Sequence, residues 1–367
     1  MNSVKVEKIA LWGSGYYAEW VIRFQNDFKE DCPIVSVFDN DPMRWGKQLG
    51  QCTIQPPEYL KDSEYDKIVI ATKLYFDEVK EQLVCQMGID GKLIEDLQYF
   101  TKRRVMRKHG ASDDEQDREI VSYLENHDLD IFNYPFAENY CHIGAEIEFD
   151  HEADMFYVWH NGFRMYMARR FDTEEKVLEY YRSILMEQDE LSPHRYLDNS
   201  FCVSDGDVVV DVGTAEGNFA LEVLNKASKI YLIEAEDDWI EALRYTFKDY
   251  QDKVIIIQGY ASDYTDGSMI ALDDVIKENV QFIKMDVEGW EVKALAGARR
   301  LMEFSENLKC AVCAYHNNED EKLIRDIATE HGFRTDVTRG YMYYPSADEQ
   351  QYYNPVLRRG IVRMEKN

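Results

Sequence analysis

An α/β protein with two open parallel sheets in series is what the sequence predicts, and three observations carry that reading. Short apolar runs suited to buried strands alternate with amphipathic helical stretches twice, over residues 1–100 and again from Asp207 onward. Each stretch opens with a strand that runs into a glycine loop and then a helix: LWGSGYYAEW from Leu11, and VVVDVGTAEGNFALEVL from Val208. Between them the texture changes, and Asn161-Gly162 sits between two aromatic-rich runs, the strongest short-range hairpin signal. The chain therefore divides into an α/β domain at 1–100, a helix and β-hairpin connector at 101–172, and a larger α/β domain at 173–367.

The elements follow in order. Lys8 to Trp12 reads as a strand, Gly13-Ser14-Gly15 as a turn, and Tyr17 to Phe28 as a helix with Trp20, Val21 and Phe24 on one face. Ile34 to Phe38 and Lys67 to Ala71 are further strands, and Phe76 to Met87 a further helix. In the connector, the basic run Lys102 to Lys108 and the acidic stretch Asp113 to Glu119 read as a solvated helix face. Thr173 to Met186 has apolar residues at Val177, Tyr181, Ile184 and Leu185, with Thr173 as N-cap. Strands are expected at Val208–Val212, Lys229–Ile233, Val254–Gln258, Phe282–Asp286 and Lys309–Tyr315. Tyr341 to Tyr344 and Gly360 to Met364 have no helix between them and read as a closing antiparallel hairpin.

Composition narrows the functions. Lys plus Arg number 42 and Asp plus Glu 70, a formal net charge of −28. Such a chain repels DNA, RNA and anionic bilayers on average, so neither nucleic acid nor membrane is an expected partner. The N-terminus lacks a signal peptide pattern, no 18-residue apolar stretch occurs, and seven scattered cysteines suit reduced thiols, which together predict a cytoplasmic location. Cys310 and Cys313 have CxxC spacing, but they lie in a strand, where residues three apart face opposite ways, so they read as core cysteines.

The second glycine loop carries the chemistry. Its strand ends at Asp211, Gly213 and Gly217 allow a tight turn and close ligand approach, and the helix that follows offers free N–H groups. The next strand ends at Glu234, which suits a ribose diol. That pattern indicates an adenosine-containing cofactor without separating NAD from S-adenosylmethionine. QGYASD at 258–263 follows the third strand, FIKMDVEGWEVKALAGA at 282–298 puts Asp286 and Glu288 at a strand's carboxyl end, and His316 follows the next strand. All converge on one sheet edge.

From Asp207 to Ala298, and more loosely to Met364, the chain resembles the FkbM-type methyltransferases, on DVGTAEGNF, the Glu234 strand end, the LDD at 272–274 and above all IKMDVEGWEVKALAGA. The resemblance implies a class I methyltransferase fold, Rossmann-like with a reversed last strand, using S-adenosylmethionine. It implies O-methylation of a hydroxyl on a sugar, nucleotide-sugar, glycan or related small metabolite. Carried over, Asp211, Gly213, Thr214, Glu216 and Gly217 flank the methionine end, Glu234 and Ala235 the ribose, and Ala261, Ser262 and Asp263 the adenine, with Asp286 also bordering the cofactor. Glu216 departs from the small residue many methyltransferases carry; it faces the cofactor ammonium or caps the helix. Pro193 ends the preceding helix, so His194, Arg195 and Tyr196 read either as a lid over the cofactor or substrate or as a packed connection.

The cofactor brings the electrophile, so the protein must align, exclude water and remove a proton. His316, with an unperturbed pKa of ~6.5, is the expected base, unless it only orients substrate. Asp286 or Glu288 orients it, acts instead, or binds a divalent ion; Glu288 could equally be a helix N-cap. In the first domain, Gly13 and Gly15 after a strand and Asp39 after the second form a dinucleotide-type fingerprint. This Rossmann-like segment resembles the small domains of bacterial sugar-modifying enzymes, which implies a nucleotide or nucleotide-sugar site; the alternative is a scaffold or dimerisation domain in a homo-oligomer. Two competing functions use that domain: a nucleotide-sugar oxidoreductase, or a non-catalytic nucleotide-binding protein.

Overall fold

A computed structural model describes residues 6–24, 29–30, 32–72, 74–344 and 357–366. The described residues form two compact units, 6–133 and 134–344 with 357–366. The connector is thus divided between them: its helices belong to the first unit and its hairpin to the second.

The first unit holds β1 (Ile9–Trp12), β2 (Ile34–Phe38), β3 (Gln48–Leu49), β4 (Cys52–Gln55), β5 (Lys67–Ile70) and β6 (Ile94–Glu95). The sheet order is β3-β4-β2-β1-β5-β6, parallel except for β3 against β4. β1 is central and buried along its whole length, as its unbroken apolar run requires. Helix α1 spans Tyr16–Phe24; the expected continuation over 25–28 lies outside the described residues. Helix α2 (Phe76–Glu81) follows β5, and α3 (Gln98–Gly110) and α4 (Glu115–Leu124) pack on each other. The basic run on α3 is not wholly a solvated face: Arg103 is buried and lies 3.1 Å from Glu7.

The second unit begins with an antiparallel sheet of β7 (Ile147–Asp150), β8 (Met155–His160) and β9 (Phe163–Tyr166). Asn161 and Gly162 join β8 to β9 with φ of 51° and 84°, the paired left-handed conformation a two-residue type I′ turn needs. Helix α5 (Glu174–Glu187) starts at Thr173, whose side chain accepts from the Lys176 N–H, and buries Val177, Tyr181 and Ile184.

The main sheet then builds from β10 (Val208–Val212), β11 (Lys229–Glu234), β12 (Val254–Gln258), β15 (Phe282–Met285), β16 (Lys309–Cys313) and β17 (Arg334–Val337), while β13 (Tyr260–Ala261) and β14 (Met269–Ile270) pair as a separate short ladder. The last strands are β18 (Met342–Tyr343), β19 (Leu357–Arg358) and β20 (Ile361–Glu365). Helices α6 (Asn218–Val223), α7 (Asp237–Thr246), α8 (Leu272–Val275), α9 (Glu291–Ala296), α10 (Arg299–Phe304) and α11 (Asp320–Glu330) connect them. The order is β12-β11-β10-β15-β16-β20-β17, with β20 antiparallel to both neighbours, which is the reversed strand of the class I methyltransferase fold. One face of this sheet buries Val210, Ile283, Met285, Cys310 and Val312 together.

The expected closing hairpin is corrected. Tyr341–Tyr344 does not pair with the last strand; Met342–Tyr343 pairs with Leu357–Arg358, while Ile361–Glu365 inserts between β16 and β17. β17, Arg-Thr-Asp-Val, is an edge strand with alternating exposure and no apolar run, which is why its sequence gives no strand signal.

Candidate functional site

The order of the main sheet reverses at β10, between β11 and β15, and the glycine loop lies at the carboxyl end of that strand. Gly213 has φ of 73°, and a Cβ there would lie 1.7 Å from the Asp286 carbonyl oxygen, so the β10 and β15 strand ends touch backbone to backbone. Gly217, φ 87°, is the N-cap of α6 and packs against Leu243 and Phe247. Thr214 is buried and its hydroxyl donates to the Asp211 carbonyl at 3.0 Å. Glu234 accepts from the Ala215 N–H at 2.8 Å and, on its other oxygen, from Ala235 and Glu236 at 2.7 and 2.9 Å. The expected ribose carboxylate therefore also fastens the glycine loop, and Ala215 meets it in a left-handed conformation with φ of 48°.

Glu216 caps no helix: α6 has no side-chain cap. The carboxyl turns inward, is almost fully buried, and accepts from the Tyr180 hydroxyl at 2.7 Å. Tyr180 stacks against Phe171 and Trp239. Burial pushes the Glu216 carboxyl up to about 7, more than the Tyr180 hydrogen bond offsets. On the opposite side of the loop, Ala261 and Ser262 are buried after β12 and Asp263 is exposed. A Cβ on Gly297 would lie 1.9 Å from the Ser262 carbonyl, so this segment is held by close backbone packing.

Asp211 is fully buried and ion-paired with the ammonium of Lys284 at 3.1 Å. Burial raises its carboxyl to about 6 against the pull of Lys284. Lys284, itself buried in β15, donates to the Gly213 carbonyl at 2.5 Å and lies over the Tyr196 ring. Burial opposes its charge, but Asp211 and Asp286 outweigh that and raise its pKa.

Asp286 lies at the end of β15 and connects the loop to a second cluster. Tyr196 donates to its Oδ2 at 2.8 Å and Tyr315 to its Oδ1 at 3.3 Å. His194 Nε2 is 3.5 Å from Oδ2 and His316 Nε2 3.7 Å from Oδ1. Burial alone would raise the Asp286 carboxyl; the His194 contact and the charges of Lys284, His194 and His316 hold it far below the usual range. His316 is 6 % exposed, with Glu291 3.1 Å from Nδ1 and Glu288 3.5 Å from Nε2. Burial lowers its pKa, but Glu291, Asp286 and Glu288 raise it to about 9.

Two alternatives that the sequence leaves open are narrowed here. Glu288 is no N-cap: its side chain is 78 % exposed, its φ is 52°, and it accepts from the Tyr344 hydroxyl at 3.1 Å. The turn's N–H groups go instead to Glu291, which accepts from Val287 at 2.9 Å and Gly289 at 3.4 Å. His194, Arg195 and Tyr196 form a packed wall and not a lid. His194 and Tyr196 are buried, Arg195 donates to the Gln188 carbonyl, and the Pro193 carbonyl accepts from Thr338. Gly360 packs on that same carbonyl, where a Cβ would lie 2.0 Å away, which fixes the segment from the other side.

Lys284, Glu291, Tyr315 and Cys313, whose sulfur is 3.7 Å from His194 Nε2, were not expected in the site. A lysine inside the four-residue apolar strand Phe282–Met285 was a readable signal, since such a charge must be buried and paired. The predicted residues of the larger unit share one edge; Gly13, Gly15 and Asp39 come together separately in the first unit. There Asp39 accepts from the Ser14 N–H and hydroxyl at 2.7 and 2.5 Å, and from the Asp41 N–H at 2.8 Å. A cavity of about 470 Å³ lies beside them, with Trp12, Gly13, Asp39, Asn40 and Gln82 among its lining residues.

Two domain families match the sequence: the methyltransferase FkbM domain over residues 193–335, and the C2185-like N-terminal domain over 5–95. No protein of curated function matches. Among solved structures, the chain is similar to methyltransferase FkbM from Methylobacillus flagellatus KT, at 15% identity over 98% of this chain and 90% of that one, TM-score 0.42. It is similar to precorrin-6y C5,15-methyltransferase from Geobacter metallireducens GS-15, at 14% identity over 45% and 82%, TM-score 0.33. An rRNA methylase from Streptococcus thermophilus gives 18% identity over 45% and 89%, TM-score 0.30.

Two outcomes follow from the buried charges. Lys284→Met should destabilise the protein by about 3–5 kcal/mol, because it strands the Asp211 carboxylate, and adding Asp211→Asn should restore much of that loss. Urea unfolding of both variants checks this; an equally unstable double variant would assign the loss to packing. Glu216→Gln should be stabilising, and only at higher pH. Burial raises the folded carboxyl to about 7, above the ordinary 4.5 of a free glutamate. Keeping it charged therefore costs nothing below pH 4.5, and the cost grows to about 3 kcal/mol above pH 7. Melting curves of the variant and the wild type should nearly coincide at pH 4 and diverge at pH 8.

Proposed function

From the premise that this chain belongs to the FkbM methyltransferases through residues 193–335, and so uses S-adenosylmethionine, we propose that it methylates a hydroxyl oxygen of a sugar, nucleotide-sugar, glycan or related small metabolite. The observation that carries the reading is Asp286. Its backbone is packed onto the glycine loop at Gly213, while its side chain faces His316, which Glu288 also approaches. Cofactor loop and proton-handling cluster are thus continuous through one residue.

The residues present fit the cofactor. Glu234 stands at the β11 end, where a ribose diol is bound in such sheets, and Gly213 and Gly217 shape the loop that opens at the same sheet edge, with Asp211 bracing it through Lys284. When bound, S-adenosylmethionine supplies an activated methyl group and a neutral thioether leaving group. The protein must then orient a hydroxyl toward that methyl and take its proton. The bond formed is O–CH₃, the bond broken S–CH₃, and the proton passes to a carboxylate of the cluster, Asp286 or Glu288. His316, raised to about 9, is already protonated at neutral pH and orients the acceptor instead of serving as the expected base. An oxygen acceptor needs such a cluster because an alcohol is a poor nucleophile until deprotonated. A surface of net charge −28 suits an acceptor that is not a polyanion.

The test is incubation of the full chain with labelled S-adenosylmethionine and a panel of nucleotide-sugars and glycans, followed by mass analysis. A gain of one methyl on a hydroxyl, stable to mild base, is expected. Methyl found only on a carboxylate or amine would overturn the oxygen assignment. Glu234→Ala should weaken cofactor binding by about 1–3 kcal/mol, the loss expected for a hydrogen bond to a charged group. Asp286→Asn should lower turnover by about 10²–10⁴-fold, the share of acid–base catalysis.

For the first unit we propose a nucleotide or nucleotide-sugar site, supported by its cavity beside Gly13 and Asp39. Calorimetry of the full chain with UDP-sugars should show binding that Asp39→Ala removes without changing S-adenosylmethionine affinity. Absence of any such heat in the wild type would leave the unit a scaffold.

A further inference from the structure

We infer that Asp286, Glu291 and His316 form a binding site for a divalent cation. One ligand atom from each, a carboxylate oxygen or a ring nitrogen, lies within 4.8 Å of the other two. Atoms so grouped can share one divalent ion once the side chains draw in toward its bond length of roughly 2.1–2.4 Å.

The hydrogen bonding of this cluster points to a missing partner. Glu291 is fully buried; one oxygen serves the Val287 and Gly289 N–H groups, and its Oε2 has no hydrogen-bond partner. His316 is 94 % buried by its 6 % exposure, and neither ring nitrogen makes a hydrogen bond. Three carboxylates lie 3.1–3.7 Å from the ring nitrogens, Glu291 beside Nδ1 and Asp286 and Glu288 beside Nε2, so negative charge is gathered around this one ring. Buried polar groups left unsatisfied in this way are uncommon and costly. A cation satisfies the carboxylates and the imidazole at once.

The backbone is shaped to hold these groups. Glu288 and Gly289 adopt consecutive left-handed conformations, φ 52° and 91°, and this turn brings Asp286 and Glu291 to the same side. A Cβ on Gly289 would meet the Asn317 amide at 2.9 Å, so the loop that carries His316 presses directly on the turn. Glu288, exposed and 3.5 Å from His316 Nε2, is placed to add a fourth ligand by rotation of its side chain. Two carboxylates and one imidazole suit Mg²⁺ or Mn²⁺ better than a thiophilic ion. The inference deepens the proposed methylation, and rests on it only for the ion's role. There the ion would bind the acceptor hydroxyl and lower its pKa.

The test reads binding directly. Full-length protein, freed of metal by chelator and dialysis, is titrated with Mn²⁺ and followed by electron paramagnetic resonance. One saturable site per chain is expected. Glu291→Gln keeps the acceptor for the turn's N–H groups but removes the charge, and should weaken Mn²⁺ at least tenfold with melting behaviour retained. His316→Ala should do the same. A folded wild type that binds no Mn²⁺ saturably, or variants that bind it as the wild type does, would overturn the inference. Methyl transfer is scored in parallel: hydroxyl methylation that survives chelator without Mn²⁺ binding sinks the ion and leaves the proposed reaction standing, whereas Mn²⁺ binding without hydroxyl methylation does the reverse.

Discussion

The ammonium of Lys284 is the interaction on which the site of the larger unit depends. It stands in the middle of an apolar strand, where an unpaired charge would be prohibitive. Its neighbours are Asp211 of β10, the Gly213 carbonyl of the cofactor loop and the Tyr196 ring of the buried wall. A buried pair of this kind stabilises little against apolar residues of the same volume, but removing either partner leaves the other stranded. It therefore works as a registration device. The β10 and β15 ends, the glycine loop and the 194–196 segment must all be in place for the charges to be matched.

Asp286 extends that order outward. Gly213 lets the loop backbone reach the Asp286 carbonyl, and the side chain beyond collects Tyr196, Tyr315, His194 and His316. Positive charge on one side keeps this carboxylate ionised although burial opposes it. The other side of the cluster is predominantly acidic, with Glu288 and Glu291 both facing His316. One residue thus separates a region whose charges are paired from a region whose charges call for a ligand.

Much of this was legible in the sequence. DVGTAEGNF and IKMDVEGWEVKALAGA located the cofactor loop, Glu234 and the Asp286 strand end, because tight turns and strand ends leave local signatures. Lys284 and Glu291 stood inside the same string without being assigned, since their roles come from neighbours far along the chain: Asp211 for one, His316 for the other. Cys313 was correctly read as facing away from Cys310, but nothing local says that the face it takes is the one against His194. The 194–196 segment read as a possible lid because Pro193 ends a helix. Its burial is decided by Thr338 and Gly360, well over a hundred residues later. The edge strand Arg334–Val337 was silent for a local reason, its alternating polar residues.

The departures from local signal share a physical origin. Ala215 and Glu288 are non-glycine residues in left-handed backbone, a conformation that costs of order 1–3 kcal/mol and persists only where surroundings impose it. Ala215 is held there by Glu234, and Glu288 by the turn whose N–H groups Glu291 collects. In both cases a buried or nearly buried glutamate satisfies loop amides and leaves further acceptor capacity toward the site. The strain and the unsatisfied oxygens therefore belong to the same construction: carboxylates are fixed in advance by backbone donors, so that little ordering remains to be done when a cationic ligand arrives. That arrangement suits a protein whose cofactor carries positive charge.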